Sequence, residues 1–139
     1  MAAPSASAAG VAEESFIRAP PAEAYAVLQS GAVFLDVRTP QEFAEGSVPG
    51  AVNVPLMLLD AAGAQVPNPD FLSAAAAALP GGLGSRVVTS CMFGGRGGKS
   101  AAALAAAGYT AVTTVAGGIS AWHKAGMPTV DGIVIPLKH

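Results

Sequence analysis

From about residue 15 onward, short apolar or β-branched runs alternate with alanine-rich stretches, and glycine or proline punctuates the boundaries. That alternation limits the chain to βα units around a mostly parallel sheet. The run AVFLD at 32–36 follows a turn glycine and predicts a buried strand; RVVTS at 86–90 and AVTTV at 111–115 predict two more. Helices are expected over 22–29, 40–45, 71–79, 98–107 and 119–125, with a very short strand at 51–53 and a loop-like stretch over 60–66. Thr39-Pro40-Gln41-Glu42 has the spacing of a capping box with proline in the first helical position. Asn68-Pro69 repeats the cap-then-proline pattern before the fourth segment.

With 139 residues the chain fits one compact domain, placed at 15–130 between tails at 1–14 and 131–139. The first tail is nearly all Ala, Ser and Pro in its first ten residues and has no arginine before Arg18. A transit-peptide remnant and a disordered alanine-rich tail both fit it. The apolar run GIVIPL at 132–137 has no assigned place.

Charge narrows the partners. The net charge is -2 and the basic residues are scattered singly, so no basic stripe is available to neutralise phosphates and nucleic acid is not expected. No apolar run approaches the roughly 18 residues that a membrane span needs. One cysteine is present. It has no partner for an internal disulfide, and no Cys/His cluster at metal spacing accompanies it, so neither a metal nor another cofactor is expected.

That cysteine, Cys91, directly follows a predicted strand and opens the segment Cys91-Met92-Phe93-Gly94-Gly95-Arg96. In open α/β sheets ligands bind beyond the carboxyl ends of strands. Gly94 and Gly95 can curl a loop so that successive N–H groups point inward and form a nest for an anion. A helix beginning just after Arg96 adds partial positive charge. A buried cysteine is ordinarily a small hydrophobe; the glycine loop between strand and helix, with an arginine five residues on, favours a nucleophile instead. No histidine lies nearby to act as base, since His123 and His139 are remote in sequence. Arg38 and Gly117 also follow predicted strands and converge on the same edge. Trp122 is expected in the core and Lys99 on a solvated face.

These motifs resemble the single-domain rhodanese-like sulfurtransferases. Leu35-Asp36-Val37-Arg38-Thr39-Pro40-Gln41-Glu42-Phe43 is similar to the family's first signature, and 46–55 continues it, with Ser47 where histidine is usual. Residues 91–96 resemble the active-site loop, with Gly97 where serine is common. Gly117-Gly118-Ile119-Ser120-Ala121-Trp122 resembles the closing signature, and Asn68-Pro69-Asp70-Phe71-Leu72 is similar to plant and green-algal members, several of which are plastid proteins. The resemblance implies a five-stranded parallel sheet flanked by helices. It implies that Cys91 takes the outer sulfur of thiosulfate or another sulfane-sulfur donor as a persulfide. The acceptor is then cyanide or an external thiol, either a small thiol or a thioredoxin-like protein, because no second cysteine exists to resolve it. Met92, Phe93, Gly94, Gly95, Arg96 and Gly97 would bind the substrate, while Asp36 and Arg38 would brace the loop. A monomer in the chloroplast stroma, or alternatively in the cytoplasm, is expected. Phosphatases and arsenate reductases of related fold carry a loop one residue longer; four residues separate Cys91 from Arg96 here, which favours sulfur. A non-catalytic binding or redox module is the remaining alternative.

Overall fold

A computed structural model describes residues 15–130; the expectations for 1–14 and 131–139 lie outside the described residues. The elements run β1 (Ile17–Ala19), α1 (Pro21–Gln29), β2 (Val33–Asp36), α2 (Pro40–Ala44), β3 (Val52–Asn53), β4 (Met57–Leu59), β5 (Gln65–Pro67), α3 (Phe71–Ala78), β6 (Arg86–Ser90), α4 (Gly95–Ala106), β7 (Ala111–Val115) and α5 (Gly118–Lys124). Five strands form one sheet in the order β1-β7-β6-β2-β3, and every neighbouring pair is parallel. None of the helices of the described residues is long and apolar enough to cross a membrane.

The central strand β6 is buried from Val87 to Ser90, as a parallel strand covered on both faces should be. Successive side chains alternate between the faces. Leu35 and Val87 join Phe71, Ala75, Leu79, Ala101 and Leu104 in one core, whereas Phe34 and Val88 join Ala24, Val115 and Trp122 in the other. Trp122 is fully buried, meets Tyr25 and Phe34 edge-on at 5.8 and 5.4 Å, and donates its indole N–H to the Pro128 carbonyl at 2.8 Å. It is a core residue, as expected.

Four local readings need correction. β1 was not foreseen: it has three residues, two of them exposed, and is defined only by its pairing with β7. The stretch 60–66 is not all loop, because Gln65 and Val66 pair with Leu59 and Leu58 in an antiparallel hairpin. Its turn is held by Asp60, whose carboxylate accepts the N–H groups of Ala62 and Ala64, both at 2.9 Å. Asn68 does not cap α3 directly; its side chain accepts the Asp70 N–H at 3.0 Å and the helix begins at Phe71. Lastly, α4 begins at Gly95 rather than 98, so Arg96 stands in its first turn and not in the loop. A four-residue stretch holding three glycines is helical there because of close packing. A β-carbon on Gly97 would lie 3.0 Å from Thr114 Oγ1 and 3.3 Å from the Cys91 nitrogen.

The tightest approach in the fold is at Gly118, where φ is +65°. A β-carbon there would run into the Cys91 carbonyl oxygen and lie 2.7 Å from the Met92 carbonyl. Gly118→Ala should therefore lower stability by about 2 kcal/mol or more, through backbone strain and a clash with backbone that cannot yield. Gly84→Ala, with open space and no positive φ, should change it by less than about 1 kcal/mol. Urea unfolding midpoints of the two variants check this; equal midpoints would show that the approach is not tight.

Candidate active site

Three segments reach the carboxyl edge of the sheet together: 36–39 after β2, 91–94 after β6, and 117–120 after β7. The loop after β6 is shaped mainly by what its carbonyls do. Cys91 O accepts the Ile119 N–H at 2.7 Å, and Met92 O accepts the Ser120 N–H at 2.9 Å. The first turn of α5 thus turns two loop carbonyls away from the thiol. Gly94, with φ +111°, turns the chain back and donates its N–H to Cys91 Sγ at 3.1 Å. The N–H groups of Gly95, Arg96 and Gly97 find no acceptor among the described residues, as expected for a helix's first turn. Below the loop, Thr89 Oγ1 and Ser100 Oγ both donate to the Gly97 carbonyl, at 3.0 and 2.7 Å. One N–H, that of Gly94, thus lies on the thiol sulfur, while the carbonyls of Cys91 and Met92 are tied to α5.

Cys91 is a free thiol and 2% exposed. Met92 is buried at 5% exposure, whereas Phe93 is 38% exposed. The two apolar side chains of the loop therefore differ in exposure.

Arg96 faces Glu42. Its two terminal nitrogens lie 2.6 and 3.1 Å from the two carboxylate oxygens. Burial opposes ionisation of Glu42, but the hydrogen bonds from Arg96 and the Thr39 N–H outweigh it and hold the carboxyl below its usual range. The hydrogen bond to Glu42 raises Arg96 against the effect of burial, and negative charge at Cys91 adds to the rise. The hydrogen-bonding fork of Arg96 is thus aligned on Glu42. The capping box is present as well: Thr39 Oγ1 accepts the Glu42 N–H and Glu42 Oε1 accepts the Thr39 N–H. Glu42 therefore has two duties, of which the sequence showed only the cap. Its partner is 54 residues away.

Asp36 and Arg38 form a fully buried ion pair, Arg38 Nη2 to Asp36 Oδ2 at 2.8 Å. Arg38 also donates to the Gly46 carbonyl at 2.6 Å, and Ser47 Oγ donates to Asp36 Oδ2 at 2.5 Å. Asn53 ties the Asp36 and Arg38 carbonyls at 3.0 and 2.9 Å. Their side chains hold the 46–53 segment against β2. The bond that joins this turn to the end of β6 is backbone, Val37 N–H to the Ser90 carbonyl at 2.8 Å. With Arg38 1% exposed, its charge is fully committed to this network. Ser47, where the resemblance leads one to expect histidine, supplies one hydroxyl donor to it. Gly118 and the N–H groups of Ile119 and Ser120 are the site components that sequence reading did not assign; the Gly117-Gly118 pair was the one visible sign of them.

Comparison with known proteins agrees with this architecture. The rhodanese-like domain family matches residues 20–125. Thiosulfate sulfurtransferase 16, chloroplastic, from Arabidopsis thaliana is 42% identical over 106 residues, covering 76% of this chain and 86% of that protein. Protein HIGH ARSENIC CONTENT 1, mitochondrial, from the same plant is 40% identical over 99 residues, covering 71% of this chain and 57% of the relative. In three dimensions, the solution structure of a rhodanese-like domain from Anabaena superposes with a TM-score of 0.66 at 20% identity, over 88% of this chain and 94% of that one. Sheet order, loop position and family match coincide, and the chain belongs to the rhodanese-like domain family.

Proposed function

We propose that the protein is a thiosulfate sulfurtransferase with Cys91 as its nucleophile. The observation that carries this reading is the Gly94 N–H on Cys91 Sγ, inside a loop whose neighbouring carbonyls are tied to α5. Such a site stabilises a thiolate and, equally, a persulfide anion. The Cys91 thiolate attacks the outer sulfur of thiosulfate; a new S–S bond forms and sulfite leaves with the electron pair of the old one. The persulfide is then attacked by cyanide or by an external thiol, either small or carried on a thioredoxin-like protein. A covalent intermediate of this kind gives ping-pong kinetics.

In this reading the N–H groups around the loop, from Met92 and Phe93 through Gly94, Gly95, Arg96 and Gly97, bind the anion. Arg96 contributes charge, and Asp36 with Arg38 fixes the neighbouring turn. The domain is taken as 15–130 and as a monomer. A chloroplast stroma location rests on the name of one relative; the name of another is mitochondrial, and cytoplasm is the further alternative. Arsenate reduction is the competing chemistry, kept in view by the second relative. The four-residue spacing between Cys91 and Arg96 favours sulfur over a tetrahedral oxyanion.

Incubation with thiosulfate followed by intact mass measurement should show a gain of one sulfur atom. Cyanide or thiol should remove it, and Cys91→Ser should not acquire it. No adduct, combined with hydrolysis of a phosphate ester or reduction of arsenate, would overturn the reading.

A second prediction concerns Glu42. Its folded carboxyl lies below the unfolded value, so its stabilising contribution is present at neutral pH and is lost as pH falls through the folded pKa. Glu42→Gln keeps a capping group but loses the charge. It should cost about 1 kcal/mol at neutral pH and flatten the fall in stability between about pH 5 and 3. Urea titrations of both proteins across that range provide the check, and parallel pH curves would contradict the assigned role.

A further inference from the structure

A cavity of about 310 Å³ opens beside the active-site loop, between β1 and the first turns of α4. Its lining is Phe16, Arg18, Gly94, Gly95, Gly98, Lys99 and Ala102. Two of these are cations and none is acidic, in a chain whose net charge is -2. Among the described residues neither Arg18 nor Lys99 has an ion-pair partner. The placement of Arg18 is supported on two sides. Its guanidinium carbon lies 5.5 Å from the Phe16 ring centre, and Gly98 has no side chain to displace it, since a β-carbon there would lie 2.9 Å from Nη1. Phe16 in turn packs against the core.

One residue of the cavity wall touches the Cys91 sulfur. Gly94 lines the cavity and also donates its N–H to Cys91 Sγ at 3.1 Å. An anionic group between Arg18 and Lys99 would therefore stand one loop residue from the thiol. The cavity is far larger than thiosulfate, whose reacting sulfur must in any case reach Cys91 itself.

We propose that Arg18 and Lys99 form an acceptor subsite that selects small thiols carrying a carboxylate. The inference rests on the sulfurtransferase reading and names the acceptor class for it. The carboxylate docks between the two cations and holds the thiol at the loop. The acceptor thiolate attacks the terminal sulfur of the Cys91 persulfide; an S–S bond forms on the acceptor, the S–S bond to Cys91 breaks, and Cys91 departs as a thiolate with its electron pair. No external oxidant or reductant is consumed. Arg18 and Lys99 are positioning residues: their charge acts on where the acceptor sits, and the reacting atoms remain with Cys91.

The test uses protein preloaded with sulfur from thiosulfate, which isolates the acceptor half-reaction, and compares dianionic mercaptosuccinate with neutral 2-mercaptoethanol. In Arg18→Gln/Lys99→Gln, sulfur removal by mercaptosuccinate at low salt should slow about tenfold, while removal by 2-mercaptoethanol changes by less than about twofold. Lys99→Glu alone should slow mercaptosuccinate more than Lys99→Gln does, and added salt should erase the difference. Equal slowing with both thiols, or no change with mercaptosuccinate, would overturn the proposal. Succinate, which has no thiol, reads the subsite without sulfur: it should shift the amide resonances of Gly94, Gly95 and Gly98 in the unmodified protein and fail to do so in the double variant. Absence of any succinate effect overturns the subsite even if loading succeeds. Absence of loading with a clear succinate effect sinks the sulfurtransferase reading and leaves the anion subsite standing.

Discussion

Two hydrogen bonds from the start of α5 set the chemistry of the molecule. Ile119 and Ser120 take the carbonyls of Cys91 and Met92 as acceptors. A peptide plane is rigid, so turning the carbonyls toward α5 turns the amides the other way. The orientation of the Met92 and Phe93 amides is therefore imposed from outside the loop, and it needs α5 to come closer than any side chain at Gly118 would permit. The glycines at 94 and 97 serve the same end from within, one by its positive φ and one by its missing side chain.

The two ion pairs around this loop divide the work differently. Asp36–Arg38 is fully buried and supplemented by Gly46, Ser47 and Asn53, so neither charge is left uncompensated. A pair of that kind contributes little net stability relative to apolar packing, yet removal of one member leaves a stranded buried charge. Its effect is to specify one conformation for the turn after β2. Glu42–Arg96 is half-buried and less committed. It fastens α2 to the first turn of α4 and commits the Arg96 nitrogens to a carboxylate.

Much of the fold was legible in the sequence where the signal is local. The β-branched run of β6 and β7, the Thr39–Glu42 cap and the glycine loop at 91–96 are short-range patterns, and the parallel sheet followed from their order. The features missed are those created by partners far away in sequence. β1 is three residues with a charged centre and becomes a strand only on β7. The first turn of α4 is glycine-rich, which on propensity argues against helix, and packing on Thr114 and Cys91 overrides it. The place of Cys91 between strand and helix was legible; the pairing of Arg96 with Glu42 and the meeting of Arg18 with Lys99 were not, because scattered single charges carry no pairing information. Gly117-Gly118 could be seen, but its purpose required knowing that α5 lies over the loop.

The dependence of the loop on α5 also bears on when its shape appears during biosynthesis. Cys91 emerges from the ribosome well before Ile119 and Ser120, and until those residues dock its carbonyls are free to turn inward. In the nascent chain the loop at 91–94 therefore lacks these two ties, and it takes its shape only when the last crossover of the sheet closes over it. Synthesis order thus leaves the shaping of this loop until after every strand of the sheet has been made.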